Sequence, residues 1–349
     1  MASGTRGYSS YRGRGRKGKL FLAVLLILII LASVGFILGR EHMTYDAEGN
    51  LHFPWPWAKE TAEPSASDAP GSDVVIQEPE TDVKDDRRAE PISAVQLGED
   101  PSEWEASLSG METAFAVTLR ADGGTLCYPF ETTVAGRRLS PNAEAVRETL
   151  MTLLSSERYA IARLSCLRDG GAARENLETM GLENTGGYIF YDGNNENWLD
   201  PGKADTVDYL AALAQECAAL GFDEILLTGL TYPTEGKLDK IAFAVPDGET
   251  DGSQAETLAA LLRTLRETLP ADVKLSLELA EPVLENGGVD ETAGIDLWGL
   301  LMPYLDHVYV PTVSERAEAL AANAPQGVLI PELPVGSPAM EGMSCLYLN

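Results

Sequence analysis

The stretch KLSLELAE (274–281) alternates leucine with polar residues. In a strand, Leu275, Leu277 and Leu279 share one face, and Ser276 and Glu278 share the other. A carboxylate such as Glu278 at a strand end is a candidate acid or base. Cleaving an acetal such as a glycosidic bond takes two carboxylates, ~5–5.5 Å apart for retention of configuration or ~6.5–9.5 Å apart for inversion. Loops offer Asp122, Asp169, Asp200 and Glu281 as the second group, and Asp122 is taken as the partner of Glu278. Each has a structural role open to it. Asp122 and Asp169 precede Gly-Gly pairs and suit turns, and Asp200 precedes Pro201. Tyr188, Phe190, Tyr191 and Trp198 stand among asparagines in GGYIFYDGNNENW. Aromatic faces beside amides suit sugars, and Trp198 is the one assigned to binding; the alternative is a loop packed by its own aromatics.

These residues need a scaffold that brings them together. From about residue 91, short β-rich runs alternate with helical ones. The strands are read at 92–97, 114–119, 159–165, 224–230, 273–279, 307–311, 327–331 and 343–348. Ser140-Pro141 reads as a helix start. Thr206–Leu220 carries apolar residues at helical spacing and stops at Gly221, and Ser253–Glu256 is a capping box. Two further helices are read at Ile295–Leu301 and Ser314–Ala321. Eight strands alternating with helices over 91–349 predict an α/β fold of the (β/α)8 TIM-barrel type, which takes ~250 residues. The chain ends with the eighth strand, so the last helix is expected to be missing. An open doubly wound sheet fits less well, because no glycine-rich phosphate loop follows the first strands. By strand parity Thr118, Arg163, Thr228 and Tyr309 point inward with Glu278. Asp223 and Glu224 fall at the N-terminal end of their strand, the stability face.

The 349 residues carry a net charge of −28. Residues 1–19 hold six basic side chains and no acid, leaving 20 bases against 54 acids elsewhere. That balance predicts no nucleic-acid partner, which would need a basic face. LFLAVLLILIILASVGFIL (20–38) is uncharged and close to the ~20 apolar residues of a membrane-spanning helix. It exceeds the ~7–15 residues of a cleaved signal core. The expectation is a single-pass anchor in the cell membrane at 20–38, with a basic cytoplasmic tail at 1–19 and everything after it outside. Residues 39–58 read as a juxtamembrane hairpin with a Gly49-Asn50 turn and a Trp55/Trp57 tail. Residues 59–90, rich in Pro, Ser and acids, read as a disordered linker spanning on the order of 30 Å. Cys127, Cys166, Cys217 and Cys345 are widely spaced; Cys217 and Cys345 fit buried packing positions. His42, His52 and His307 lack metal-ligand spacing, so no metal is expected, and no cofactor motif is present.

YAIARLSCLRD (159–169), NWLDP (197–201), YLAALAQECAALGFDEILLTGLTYP (209–233) and LDHVYVP (305–311) occur in this order. Together they resemble a bacterial family of glycosyl hydrolase-type domains of unknown function, with (β/α)8 barrels that are often exported or membrane-anchored. The resemblance covers essentially 91–349, and the helix-LGFDEI-strand-x-YP pattern is its more specific part. Arg163, Asp200 and Tyr309 keep family-like identities. The Asp of the family's second strand falls on Thr118, while Asp122 survives. The Asp of its fourth strand falls on Thr228 and its Arg on Thr231, and the fifth-strand Asp matches Glu278. The resemblance implies a surface-displayed barrel acting on or binding an envelope or extracellular polysaccharide, such as a peptidoglycan-type glycan. Glu278 and Asp122 are then the catalytic pair, and Arg163, Asp200, Trp198, Tyr309 and Thr228 the substrate-binding set. With both strand aspartates replaced, a catalytically impaired barrel kept as a carbohydrate-binding or envelope-scaffold module is the alternative, so whether the chain is an enzyme stays open at this point.

Overall fold

Eight apolar runs become eight parallel strands that close on themselves. The computed structural model describes residues 91–108, 113–156, 158–246, 252–280, 283–284, 286–311, 327–338 and 343–348, with the backbone of 44–45 and 51–52. The strands are β1 (Ser93–Gln96), β2 (Ala114–Arg120), β3 (Tyr159–Ser165), β4 (Glu224–Thr228), β5 (Lys274–Glu278), β6 (His307–Pro311), β7 (Leu329–Pro334) and β8 (Cys345–Leu348). Each pairs in parallel with the next, and β8 pairs with β1 to complete the ring. Parallel neighbours need long crossovers, which here carry the helices α1 (Ala143–Leu154), α2 (Ala204–Leu220) and α3 (Gln254–Thr268).

The alternation of side chains along each strand makes two cores. Outward residues such as Phe115, Val117, Ala162, Ile225, Leu275, Leu277 and Val308 pack with residues of α2 and α3 in the larger one. Inward residues Ala94, Ala114, Ala116, Ile161, Leu226, Tyr309, Ile330 and Leu346 fill the barrel. Small alanines on β1 and β2 leave room there for Tyr159 and Tyr309, so the interior is packed rather than open. Below that packing, the buried Glu224 carboxylate accepts from Tyr159 Oη (2.8 Å) and Ser276 Oγ and lies 3.0 Å from His307 Nδ1. Asp223 Oδ2 accepts from Ala160 N at 2.9 Å. Both acids tie strands together at the face remote from the mouth.

The α2 helix stops where Gly221 adopts φ 101°, a conformation that glycine takes without strain. Ser253 and Glu256 form the reciprocal capping box of α3, with Glu256 N to Ser253 Oγ at 3.1 Å and Ser253 N to Glu256 Oε2 at 2.7 Å. The expected start at Ser140-Pro141 is corrected. The α1 helix begins at Ala143 after Asn142, and Ser140 Oγ accepts from Asn142 N at 3.3 Å in the preceding turn. The expected helix over Ile295–Leu301 is a short strand, Ile295–Asp296, followed by a π-helical turn, Leu297–Leu301.

The chain divides into two units, Met1–Pro79 and Glu80–Asn349. In the first, Thr44–Tyr45 pairs antiparallel with Leu51–His52. The expected membrane anchor at 20–38, tail at 1–19, linker at 59–90 and helix at 314–321 lie outside the described residues. Among the described residues no helix is long and apolar enough to cross a membrane.

Candidate active site

Toward their C-terminal ends, five of the strands place a polar inward residue above an apolar one. On β1 it is Gln96 above Ala94, on β2 Thr118 above Ala116, and on β3 Arg163 above Ile161. On β4 it is Thr228 above Leu226, and on β7 Glu332 above Ile330; Glu278 fills the same place on β5. This ring stands at the C-terminal ends of the strands, where barrels build their sites.

Arg163 organises the ring. Its guanidinium donates to Gln96 Oε1 and to Glu278 Oε2, and its Nη2 lies 4.0 Å from Glu332 Oε1. A guanidinium has no acceptor, so the Gln96 amide must turn its oxygen to Arg163. Its nitrogen then donates to Thr118 Oγ1 at 3.0 Å. Two carboxyl groups therefore crowd one cation. Burial and the charge of Glu278 push the Glu332 carboxyl up to about 8, against the pull of Arg163, and a hydrogen bond to Glu278 holds its proton. Glu332 is 6% exposed and Glu278 is half-buried. Glu332 therefore keeps its proton at neutral pH, with Glu332 behind and Glu278 toward solvent.

A cleft of about 460 Å³ opens in front of them, lined by Thr118, Arg163, Thr228, Glu278, Asp122 and Trp198 among others. The structure thus brings together six residues that the sequence singles out. Asp122 sits at the rim, its side chain 61% exposed, with Arg168 Nε donating to Oδ1 at 2.8 Å. Trp198 is half-buried, and its Nε1 donates to Asp192 Oδ2 at 2.9 Å, which fixes the ring on the cleft wall. Of the other aromatics Phe190 is buried in the core, whereas Tyr188 and Tyr191 are exposed.

Two expected binding residues do not reach the cleft. Asp200 is fully buried and accepts from Gly202 N (3.0 Å) and Ala244 N (2.8 Å), bracing the loop before α2. Burial pushes its carboxyl up to about 6. Tyr309 does point inward, but it lies in the packed middle of the barrel, where burial and the Glu224 charge keep its phenol protonated. Glu281 lies outside the described residues.

Asp169 is a structural acid, again fully buried. It forms an ion pair of 2.6 Å with the equally buried Arg120 and accepts from Gly171 N (3.1 Å) and Ala172 N (2.9 Å). Arg120 also donates to the Ser165 and Cys166 carbonyls, the latter at 2.9 Å, and lies 5.6 Å over the Tyr209 ring. Gly124 packs against this pair at φ +82°. A Cβ there would come 2.1 Å from the Asp169 carboxyl carbon.

Glu332 and Gln96 are ring positions that sequence reasoning passed over. Glu332 has a further consequence, because its carboxyl binds a proton more tightly in the folded state than in the unfolded chain. Stability from this group is therefore greatest below its ordinary value of 4.5 and falls as pH rises toward about 8. Glu332→Gln is expected to match the parent near pH 5 and to exceed it at pH 8.5 by on the order of a few kcal/mol. Thermal melts of both proteins at the two pH values check this; parallel pH dependences would contradict it.

A family model described as "Putative glycosyl hydrolase domain" matches residues 109–287. No curated protein matches the chain in sequence. Among solved structures, a hypothetical protein from Ruminiclostridium thermocellum ATCC 27405 is 22% identical, with a TM-score of 0.41, covering 60% of this chain and 99% of that one. Aspergillus fumigatus Ega3, in complex with galactosamine, is 12% identical with a TM-score of 0.39, covering 74% and 89% of the two chains. The α-galactosidase from Lactobacillus brevis is 10% identical with a TM-score of 0.47 over 76% of this chain; the match spans 38% of that enzyme's length.

Proposed function

Because the chain belongs to this glycosyl hydrolase domain family, its model covering residues 109–287, we propose that the barrel binds a polysaccharide in the Arg163–Glu278 cleft and hydrolyses it there. The observation that carries the reading is the pair of carboxyls, Glu278 and Glu332, held around one guanidinium, with Glu332 keeping its proton. Titratable groups whose surroundings push them apart mark acid and base roles. Glu278 faces the cleft and delivers a proton to the glycosidic oxygen as its bond to the anomeric carbon breaks. Glu332 behind it supplies that proton and is left as the carboxylate. Across the rim, Asp122 takes a proton from the water that attacks the anomeric carbon, so the water's oxygen forms the new bond. Glu278 and Glu332 are in hydrogen-bond contact, closer than the ~5–5.5 Å of a retaining pair. They act as one acid, with Asp122 as the separate base, and inversion is the expected outcome. Trp198 offers a face for a sugar ring, and the Thr118 and Thr228 hydroxyls offer partners for its hydroxyls.

A second reading is binding without cleavage. It is favoured by Thr118 and Thr228, neutral at strand ends where the resembling domains carry aspartates, and by the Arg168 ion pair that occupies Asp122. In either case residues 20–38 are proposed to anchor the chain in a membrane, with the acidic linker holding the barrel outside, against envelope or extracellular glycan. A panel of polysaccharides scored separately for retention and for release of reducing ends tests both readings. Release supports hydrolysis, retention alone supports the second reading, and neither overturns both. If Glu332 supplies the proton, release falls away above about pH 8, and a profile flat to pH 9.5 contradicts that role.

A further inference from the structure

A second cavity, of about 490 Å³, lies beside the cleft where the ends of β1 and β2 meet the start of α1. That volume is within the ~300–1,000 Å³ of small-ligand sites. It shares Thr118 and Ala121 with the cleft. Its polar lining comes from Gln96, Thr118, Thr125, Ser140 and Asn142, amides and hydroxyls. Trp104 forms part of its wall, with Nε1 fixed on Gly98 O at 2.8 Å. The contrast with the cleft is chemical. Arg120, Asp122, Arg163, Arg168 and Glu278 line the cleft, whereas among the described residues Glu99 is the one charged residue lining this cavity. Uncharged donors and acceptors match sugar hydroxyls, and an acid without a lining cation disfavours uronate, sulfate or phosphate groups.

We propose that this cavity is a subsite for a neutral sugar unit of the glycan whose reacting bond lies at Glu278. The inference rests on the glycan reading above and deepens it: the cleft holds the bond that is cut, and the neighbouring cavity reads the chain to one side. Thr118, common to both spaces, is the step between them.

Cys127 supplies a reporter independent of catalysis. It lines the cavity and is partly exposed, whereas Cys166, Cys217 and Cys345 are buried. Labelling of Cys127 by a maleimide is followed in the Glu278→Gln protein, so that no ligand is consumed. The probes are the neutral hexasaccharides cellohexaose, xylohexaose, mannohexaose and chitohexaose, and the anionic hexamer of α-1,4-galacturonate. At least one neutral probe is expected to slow labelling fivefold or more in a saturable way, with no effect of the galacturonate. Asn142→Trp, at an exposed position whose side chain makes no cap bond, is expected to weaken that protection at least tenfold. No protection by any neutral probe, equal protection by galacturonate, or protection indifferent to Asn142→Trp would each overturn the proposal. Protection without release from any polysaccharide by the parent protein keeps the subsite and removes hydrolysis. Release without protection does the reverse.

Discussion

Glu278→Gln is expected to abolish release of reducing ends, by on the order of 10³-fold, and to leave retention of the glycan largely intact. General acid catalysis contributes ~10²–10⁴-fold, and the amide cannot pass on the proton that Glu332 holds. Glutamine keeps the size of the side chain and an oxygen that can accept from Arg163, so the shape of the cleft is preserved. Losing the negative charge also removes one of the influences that raise Glu332. Any residual activity should therefore decline at a lower pH than in the parent. Release and retention measured on one polysaccharide, with a thermal melt to show the variant folded, decide the matter. Undiminished release would remove Glu278 from the chemistry.

Asp169→Ala is expected to cost about 3–5 kcal/mol, the largest loss of stability among the site's neighbours. It leaves the Arg120 guanidinium buried without its counter-charge, and breaking one side of a buried pair costs that much. It also removes the acceptor for two backbone N–H groups at the start of Gly170–Glu175. Asp169→Asn should lose less, because its oxygen can still cap that turn. If the stranded charge is the main cause, adding Arg120→Met to Asp169→Asn costs less than the two single changes summed. Urea unfolding of the four proteins checks this, and strict additivity would argue against it.

Much of the barrel was legible because its rules are local. Strands with Leu-Ser-Leu-Glu alternation declare their faces, Gly221 stops a helix, and Ser253 with Glu256 starts one. The inward facing of Glu278, Arg163, Thr118 and Thr228 followed from parity. Three other positions show what strand parity alone did not settle. Glu332 was missed because Pro331 reads as the end of a strand; prolines are rare inside sheets, yet β7 runs on through it to Pro334. The same alternation that placed Glu278 would have placed Glu332 two residues after Ile330. Arg120 was hidden by an irregularity. The register with β3 shifts between Thr118 and Arg120, a bulge that takes the side chain off the simple alternation. Tyr309 had the right face and the wrong depth. A strand pattern distinguishes inside from outside, but in a filled barrel the topmost inward layer meets the cleft. Asp200 shows a related gap, since a motif can mark a loop that supports a site as readily as the site itself.

Gln96 joins the two cavities through a single amide, its oxygen on Arg163 and its nitrogen on Thr118. An occupant of the neutral cavity that engages this amide competes with the grip on Arg163, and so alters the cation that steadies Glu278. Filling one chamber then changes the affinity of the other by some factor, and linkage requires the reverse effect to be the same factor. If the cavity takes a sugar as proposed, the barrel mouth would be a thermodynamically coupled pair of chambers, with chain length registered at one side felt at the Glu278 carboxyl on the other.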